Sequence, residues 1–140
     1  MNYKGLIVWQ KAHTLTLKII NAVDSVSRSS YASEIIIRQL LRATTSIGAN
    51  IAEGYGRYKG KEYLYFLQIS YGSANEVDNW LNVLKDAGLM QPIIASELLE
   101  INEEIQKMLA AIIKKIKEKG RGQKERGRGN PHPSTLLPTP

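Results

Sequence analysis

Apolar residues recur along most of the chain at alternating steps of three and four. The first run holds Val8, Ala12, Leu15, Ile19, Ala22 and Val26, and the second Ile37, Leu40, Thr44, Ile47 and Ile51. A third holds Tyr63, Leu67, Ser70, Ala74, Val77, Leu81 and Leu84, and a fourth Ile94, Leu98, Ile101, Ile105, Met108 and Ile112. Such steps place side chains on one stripe of a helix, whereas a strand needs steps of two. The spacing predicts helices over about 6–28, 31–54, 61–87 and 92–119, each about 30–40 Å long at 1.5 Å per residue.

The punctuation fits that division. Ser27-Arg28-Ser29-Ser30 separates the first two runs, and Ser30 suits an N-cap. Gly54, Gly56 and Gly60 interrupt the chain before the third run, Gly88 fits a left-handed residue after it, and Pro92 suits a first helical turn. Connections this short favour antiparallel neighbours, so the predicted fold is an all-α, up-down-up-down four-helix bundle. From Gly120 the period is lost, and four glycines and four prolines enter. Residues 120–140 are expected to form a disordered basic tail, because they bring too little apolar surface to offset the entropy of ordering.

Composition narrows the chemistry. At 140 residues the chain suits one domain, and it contains no cysteine, which removes disulfides and thiolate sites. Its two histidines, His13 and His132, lack the Glu-x-x-His spacing of di-iron bundles. His13 reads as an ordinary polar residue beside the first stripe. No metal or cofactor is expected. No apolar run approaches the length that spans a bilayer, and Gln10, Lys11 and His13 interrupt the first one, so the expected location is cytoplasmic. The apolar pair Leu136 and Leu137 is thin support for a membrane anchor.

The net charge is +6, and it is unevenly spread. Residues 1–61 hold nine Lys/Arg against three Asp/Glu, residues 62–104 one against eight, and residues 105–140 nine against two. Such segregation suits a polyanion partner, contact between oppositely charged subunit faces, or solvated faces of no special use. The glycine-rich segment Gly54–Lys61 leads into a helix N-terminus where backbone N–H groups can meet a phosphate, although it lacks the strand and the Ser/Thr of a nucleotide-hydrolysing loop. Glu53 and Glu76 occur among small residues. They suit partners for Arg38 or Arg42 better than acid–base catalysis, since no nucleophile or metal accompanies them.

The segments Trp9-Gln10-Lys11-Ala12-His13, Gln39-Leu40-Leu41-Arg42-Ala43, Ser46-Ile47-Gly48-Ala49-Asn50-Ile51-Ala52-Glu53-Gly54, Lys61-Glu62-Tyr63-Leu64-Tyr65-Phe66-Leu67 and Gly72-Ser73-Ala74-Asn75-Glu76 carry a resemblance. Together, over about residues 5–118, they resemble the four-helix-bundle family encoded in intervening sequences of 23S ribosomal RNA genes. More distantly they are similar to the accessory protein of diversity-generating retroelements, which binds nucleic acid and a reverse transcriptase. The resemblance implies a ring-shaped homopentamer of up-down bundles with no enzymatic activity. Gly48 stands where many members have proline, and the loop before the second helix lacks the usual proline.

The resulting expectation is a non-enzymatic, oligomeric bundle that binds RNA or DNA, as a ribonucleoprotein or retroelement accessory factor. Its expected contacts are Arg57, Lys59 and Lys61 in the second connection, with Lys114, Lys115, Lys117 and Lys119 at the end of the fourth helix. Arg121, Lys124, Arg126 and Arg128 continue that stripe. In up-down order these two clusters share one end of the bundle. Arg38, Arg42, Asn50, Glu53, Ser73 and Glu76 are the expected helix or subunit contacts. The rival expectation is a protein–protein scaffold in which Arg38 and Arg42 meet Glu76 and Asp78 of a neighbouring subunit. A third is an enzyme with Glu53 as general base.

Overall fold

The computed structural model describes residues 2–26, 30–57 and 61–127, the last five as backbone alone. After a 3₁₀ turn at Tyr3–Gly5 come four helices: α1 (Ile7–Val23), α2 (Tyr31–Gly56), α3 (Lys61–Asp86) and α4 (Pro92–Gly127). Each helix packs against its two neighbours around a square, and among the described residues the diagonal pairs α1–α3 and α2–α4 make no close backbone approach. The α2–α3 pair is the most extensive.

The ends follow from local chemistry. α1 stops at Val23 rather than near residue 28, because Ser25 N–H and Val26 N–H donate to the carbonyls of Ala22 and Val23 and tighten the last turn. Ser30 caps α2: Ser33 N–H donates to its Oγ at 3.1 Å, while Ser33 Oγ donates to the Ser30 carbonyl at 2.9 Å. Gly88, at φ +74°, closes α3. Its N–H donates to Lys85 and that of Leu89 to Leu84, which is the paired Schellman pattern, with Leu84 and Leu89 both joined to the core. α4 continues past Lys119 to Gly127. Gly120 and Gly122 cost it about 1 kcal/mol each relative to alanine, but Arg121, Gln123, Lys124, Glu125 and Arg126 between and after them favour or tolerate helix. Residues 128–140 lie outside the described residues.

The core is continuous, with Leu15, Ile19, Leu40, Ile47, Leu67, Leu81, Ile105 and Leu109 fully buried. The stripes of α1, α2 and α3 follow the predicted spacing, except that Val23 and Leu64 are buried where Ala22 and Tyr63 were expected, and the latter two lie half-buried beside them. In α4 the stripe is displaced: Ala95, Leu98, Asn102, Ile105, Leu109 and Ile113 are buried, whereas Ile94, Ile101, Met108 and Ile112 flank the core. α4 packs on both α3 and α1, so its apolar arc is wider than one heptad seam, and the flanking residues continue the arc toward α1.

α2 and α3 approach closely through small residues. Ser70 Oγ donates to the Ile47 carbonyl at 2.9 Å, and Ser73 Oγ donates to Ser46 Oγ at 2.9 Å. A β-carbon at Gly54 would lie 2.9 Å from the Phe66 β-carbon and 3.2 Å from the Tyr63 ring. By contrast, nothing lies within 4 Å of a β-carbon at Gly72. Two alanine substitutions in helices therefore have opposite signs. Gly72→Ala should raise stability by about 0.5–1 kcal/mol through helix propensity. Gly54→Ala should lower it, because overpacking at about 1–3 kcal/mol exceeds the same propensity gain. Urea unfolding of both variants beside the parent checks this.

Candidate nucleic-acid interface

The up-down order places the start of α1, the α2–α3 connection and the end of α4 at one end of the bundle. The register of α3 on α4 is fixed by two bonds: Asn102 Nδ2 donates to the Ala74 carbonyl and Gln106 Nε2 to Asn75 Oδ1, both at 2.8 Å. That register brings the start of α3 to the same level of the bundle as the turns of α4 near Lys119.

Ion pairing separates the basic residues into two groups. Lys11 bonds Glu104 at 2.7 Å and Lys18 bonds Glu97 at 3.3 Å, tying α1 to α4. Arg42 pairs with Glu76 between α2 and α3, and Lys107 with Glu103 along α4. Arg57 donates from Nε to Glu53 at 2.9 Å, lies 3.7 Å from Glu62 and sits 5.8 Å over the Phe66 ring. The Glu53 hydrogen bond, then the charges of Glu53 and Glu62, hold its guanidinium more firmly protonated than usual. Among the described residues, Lys61, Lys114, Lys115, Lys117, Lys119 and Arg121 have no such partner. Lys4, before α1, also lies unpaired at that end. The opposite end carries the acids Asp24, Glu34 and Asp86 together with Lys85.

The expected contacts thus divide. Lys61 and the α4 bases from Lys114 to Arg121 lie at the same end of the bundle, and all but the half-buried Lys117 are exposed. Arg57 joins the same end but is held by two carboxylates. Lys124 and Arg126 lie on α4 with no described side chain, and Lys59 and Arg128 fall outside the described residues. The other set lies along the α2–α3 seam. Asn50 Nδ2 donates to the Ser46 carbonyl and hydroxyl at 2.9 Å each, Ser73 meets Ser46, and Arg42 meets Glu76 of its own chain. Arg38 is exposed and, among the described residues, unpaired. Glu53 and Glu76 do not meet; each lies beside its own arginine at a different level of the seam.

Two features were not anticipated from the sequence. An open groove of about 350 Å³ runs between α3 and α4 at the basic end. Tyr71, Ala110 and Ile113 form its apolar lining, Gln68 adjoins them, and Lys114, Lys117, Glu118 and Arg121 form its rim. Gln68 Nε2 is buried with no hydrogen-bond partner. At the start of α1, Tyr3 meets Trp9 edge-on at 5.1 Å, and the exposed His13 stacks on Trp9 at 4.8 Å. Spacing of three, for Gln68 and Tyr71, and of four, for Ile113 and Lys117, places each pair on one helical face, but only the α3–α4 register joins them.

Among the described residues no group of acidic or histidine side chains could hold a metal ion, and no helix is long and apolar enough to cross a membrane. The arrangement defines an all-α, up-down four-helix bundle with one end rich in unpaired cations. Residues 4–111 match the family described as 23S rRNA-intervening sequence protein, and the chain belongs to that family. A crystal structure of a protein of unknown function from the S23 ribosomal protein family, from Bacteroides thetaiotaomicron, is similar at 27% identity and TM-score 0.71. The likeness covers 77% of this chain and 99% of that one. No curated protein matches.

Tyr63, next to Gly54 at the basic end, provides a pH readout of this packing. Burial, then the neighbouring Tyr55, pushes its hydroxyl above the ordinary value of 10.0. A phenol whose folded value exceeds its unfolded one stabilises fully below the unfolded value, and this contribution is lost as pH rises through the folded value. Melting temperature should therefore fall as pH rises above about 10, and Tyr63→Phe should lessen that fall relative to the parent.

Proposed function

We propose that this protein is a non-enzymatic, oligomeric bundle that binds RNA or DNA through the basic end. The observation that carries the reading is the group Lys61, Lys114, Lys115, Lys117, Lys119 and Arg121, which have no carboxylate partner among the described residues, whereas Lys11, Lys18, Arg42, Arg57 and Lys107 are held by carboxylates. Like charges three and four residues apart on α4 repel one another, each pair costing a few tenths of a kcal/mol. A polyanion relieves that repulsion and releases counterions as it binds. Contacts of this kind position a phosphate backbone and read no base sequence. With about six phosphates neutralised, log affinity for duplex should fall with log salt at a slope of about −5.

Fluorescence anisotropy with a labelled duplex over a range of salt checks the proposal. The double variant Lys115→Glu/Lys119→Glu should reduce the magnitude of the slope by about two. Lys18→Gln, at a paired position away from this end, should leave it unchanged. An affinity that ignores salt would overturn the reading.

The family resemblance supports a ring of identical chains, and the exposed apolar side chains Leu17, Ile20, Ile35 and Tyr65 are consistent with self-association. A ring would present several basic ends to one polyanion and raise its avidity. Light-scattering mass should correspond to five chains at both low and high salt. A mass of 15.7 kDa, that of one chain, would remove the avidity argument.

A further inference from the structure

We infer that the α3–α4 groove at the basic end is a subsite for an unstacked nucleobase of a single strand, with Lys114, Lys117 and Arg121 holding the flanking phosphates. This rests on the nucleic-acid reading above and narrows it from any phosphate backbone to single-stranded chains. Three properties of the groove agree with a nucleotide. Its lining is apolar and includes an aromatic residue, Tyr71, beside Ile113; successive bases stack on such surfaces whatever their identity. Gln68 adjoins that lining and adds a carboxamide to an otherwise apolar slot. A carboxamide there can exchange hydrogen bonds with the edge of a base. Three cations lie on the rim with no carboxylate paired to them among the described residues. The volume of about 350 Å³ accommodates one base and its sugar.

The chemistry favours a nucleotide over an acidic peptide. An acidic segment would use the rim, but its carboxylate side chains bring no aromatic plane to lie against Tyr71. Duplex is disfavoured because its bases are paired and stacked, so that none can enter without the cost of extrusion. Glu118 is the one carboxylate on the rim among the described residues, and its charge opposes phosphate there. The phosphates therefore follow the Lys114, Lys117 and Arg121 side, and neutralising Glu118 should strengthen binding.

The test uses the full chain and a labelled homopolymer RNA of about 12 nucleotides, within the span that one small binding surface covers, beside a duplex of equal length. Gln68→Met and Tyr71→Leu keep volume while removing the amide and the aromatic face. Each should weaken single-strand binding about five- to tenfold and leave duplex affinity within about twofold, since a lost stacking or hydrogen-bonding partner has that scale. Glu118→Gln should tighten single-strand binding about twofold. Equal losses for single strand and duplex, or none for either, overturn the subsite while the backbone reading stands. So does a polyglutamate peptide that competes as well as unlabelled homopolymer, or a change in light-scattering mass in the variants, which would make the groove a contact between chains. Should the parent bind neither nucleic acid at low salt, the broader reading fails first. If Tyr71→Leu does not keep the parent's helical circular dichroism, Gln68→Met and Glu118→Gln decide.

Discussion

The closeness of α2 and α3 is the constraint from which the remaining geometry follows. Ser46, Ser70, Ser73 and Gly54 have little or no side-chain bulk at the contact, so two backbones approach until hydroxyls reach across. Each such bond contributes only about 1 kcal/mol net. Its larger effect is on register: a slip of one turn would leave buried hydroxyls without partners, at about 1–3 kcal/mol apiece. Asn102 extends the same logic to the next pair, because an asparagine with no exposure among apolar neighbours reaches the Ala74 carbonyl and penalises other alignments of α4. With both registers fixed, the start of α3 and the last turns of α4 must share one end.

Electrostatics then acts on a scaffold that packing has already positioned. The interhelical pairs Lys11–Glu104 and Lys18–Glu97 are largely exposed, and exposed pairs contribute about 0–1 kcal/mol. They help align α1 with α4 but do not hold the bundle together. Their second consequence concerns the field around the molecule. By consuming cations along the sides, they leave net positive charge concentrated at the end of α4.

The helices and most of the buried stripes of α1, α2 and α3 were legible in the sequence because steps of three and four have one geometric meaning. The α4 stripe was read one edge off, since Ile94, Ile101, Met108 and Ile112 are larger and more regular than Ala95 and Asn102, which occupy the centre. Size marks an apolar arc but not its midpoint. Arg57 was read as a loop cation, although Glu53 stands four residues before it and already signals an i,i+4 pair. The groove had no comparable signal. Gln68 and Ile113 are joined by the α3–α4 register alone, and that register rests on Asn102 and Gln106, whose partners a linear reading does not reveal.

Family membership and charge also bear on different parts of the molecule. The matched region ends at residue 111. It contains the α2–α3 seam, Asn102, and the Gln68, Tyr71 and Ala110 side of the groove. Ile113 and the cations from Lys114 to Arg121 lie beyond it. The shared part therefore explains why the chain folds as this bundle, and half of the groove comes with that scaffold. The charge that would make the groove selective for a nucleotide comes from the turns of α4 beyond the match. A relative with the same bundle but a neutral end to α4 would keep the apolar slot and lose its attraction for phosphate. On the proposed reading, nucleotide binding would follow the composition of one helix end more closely than it follows the fold.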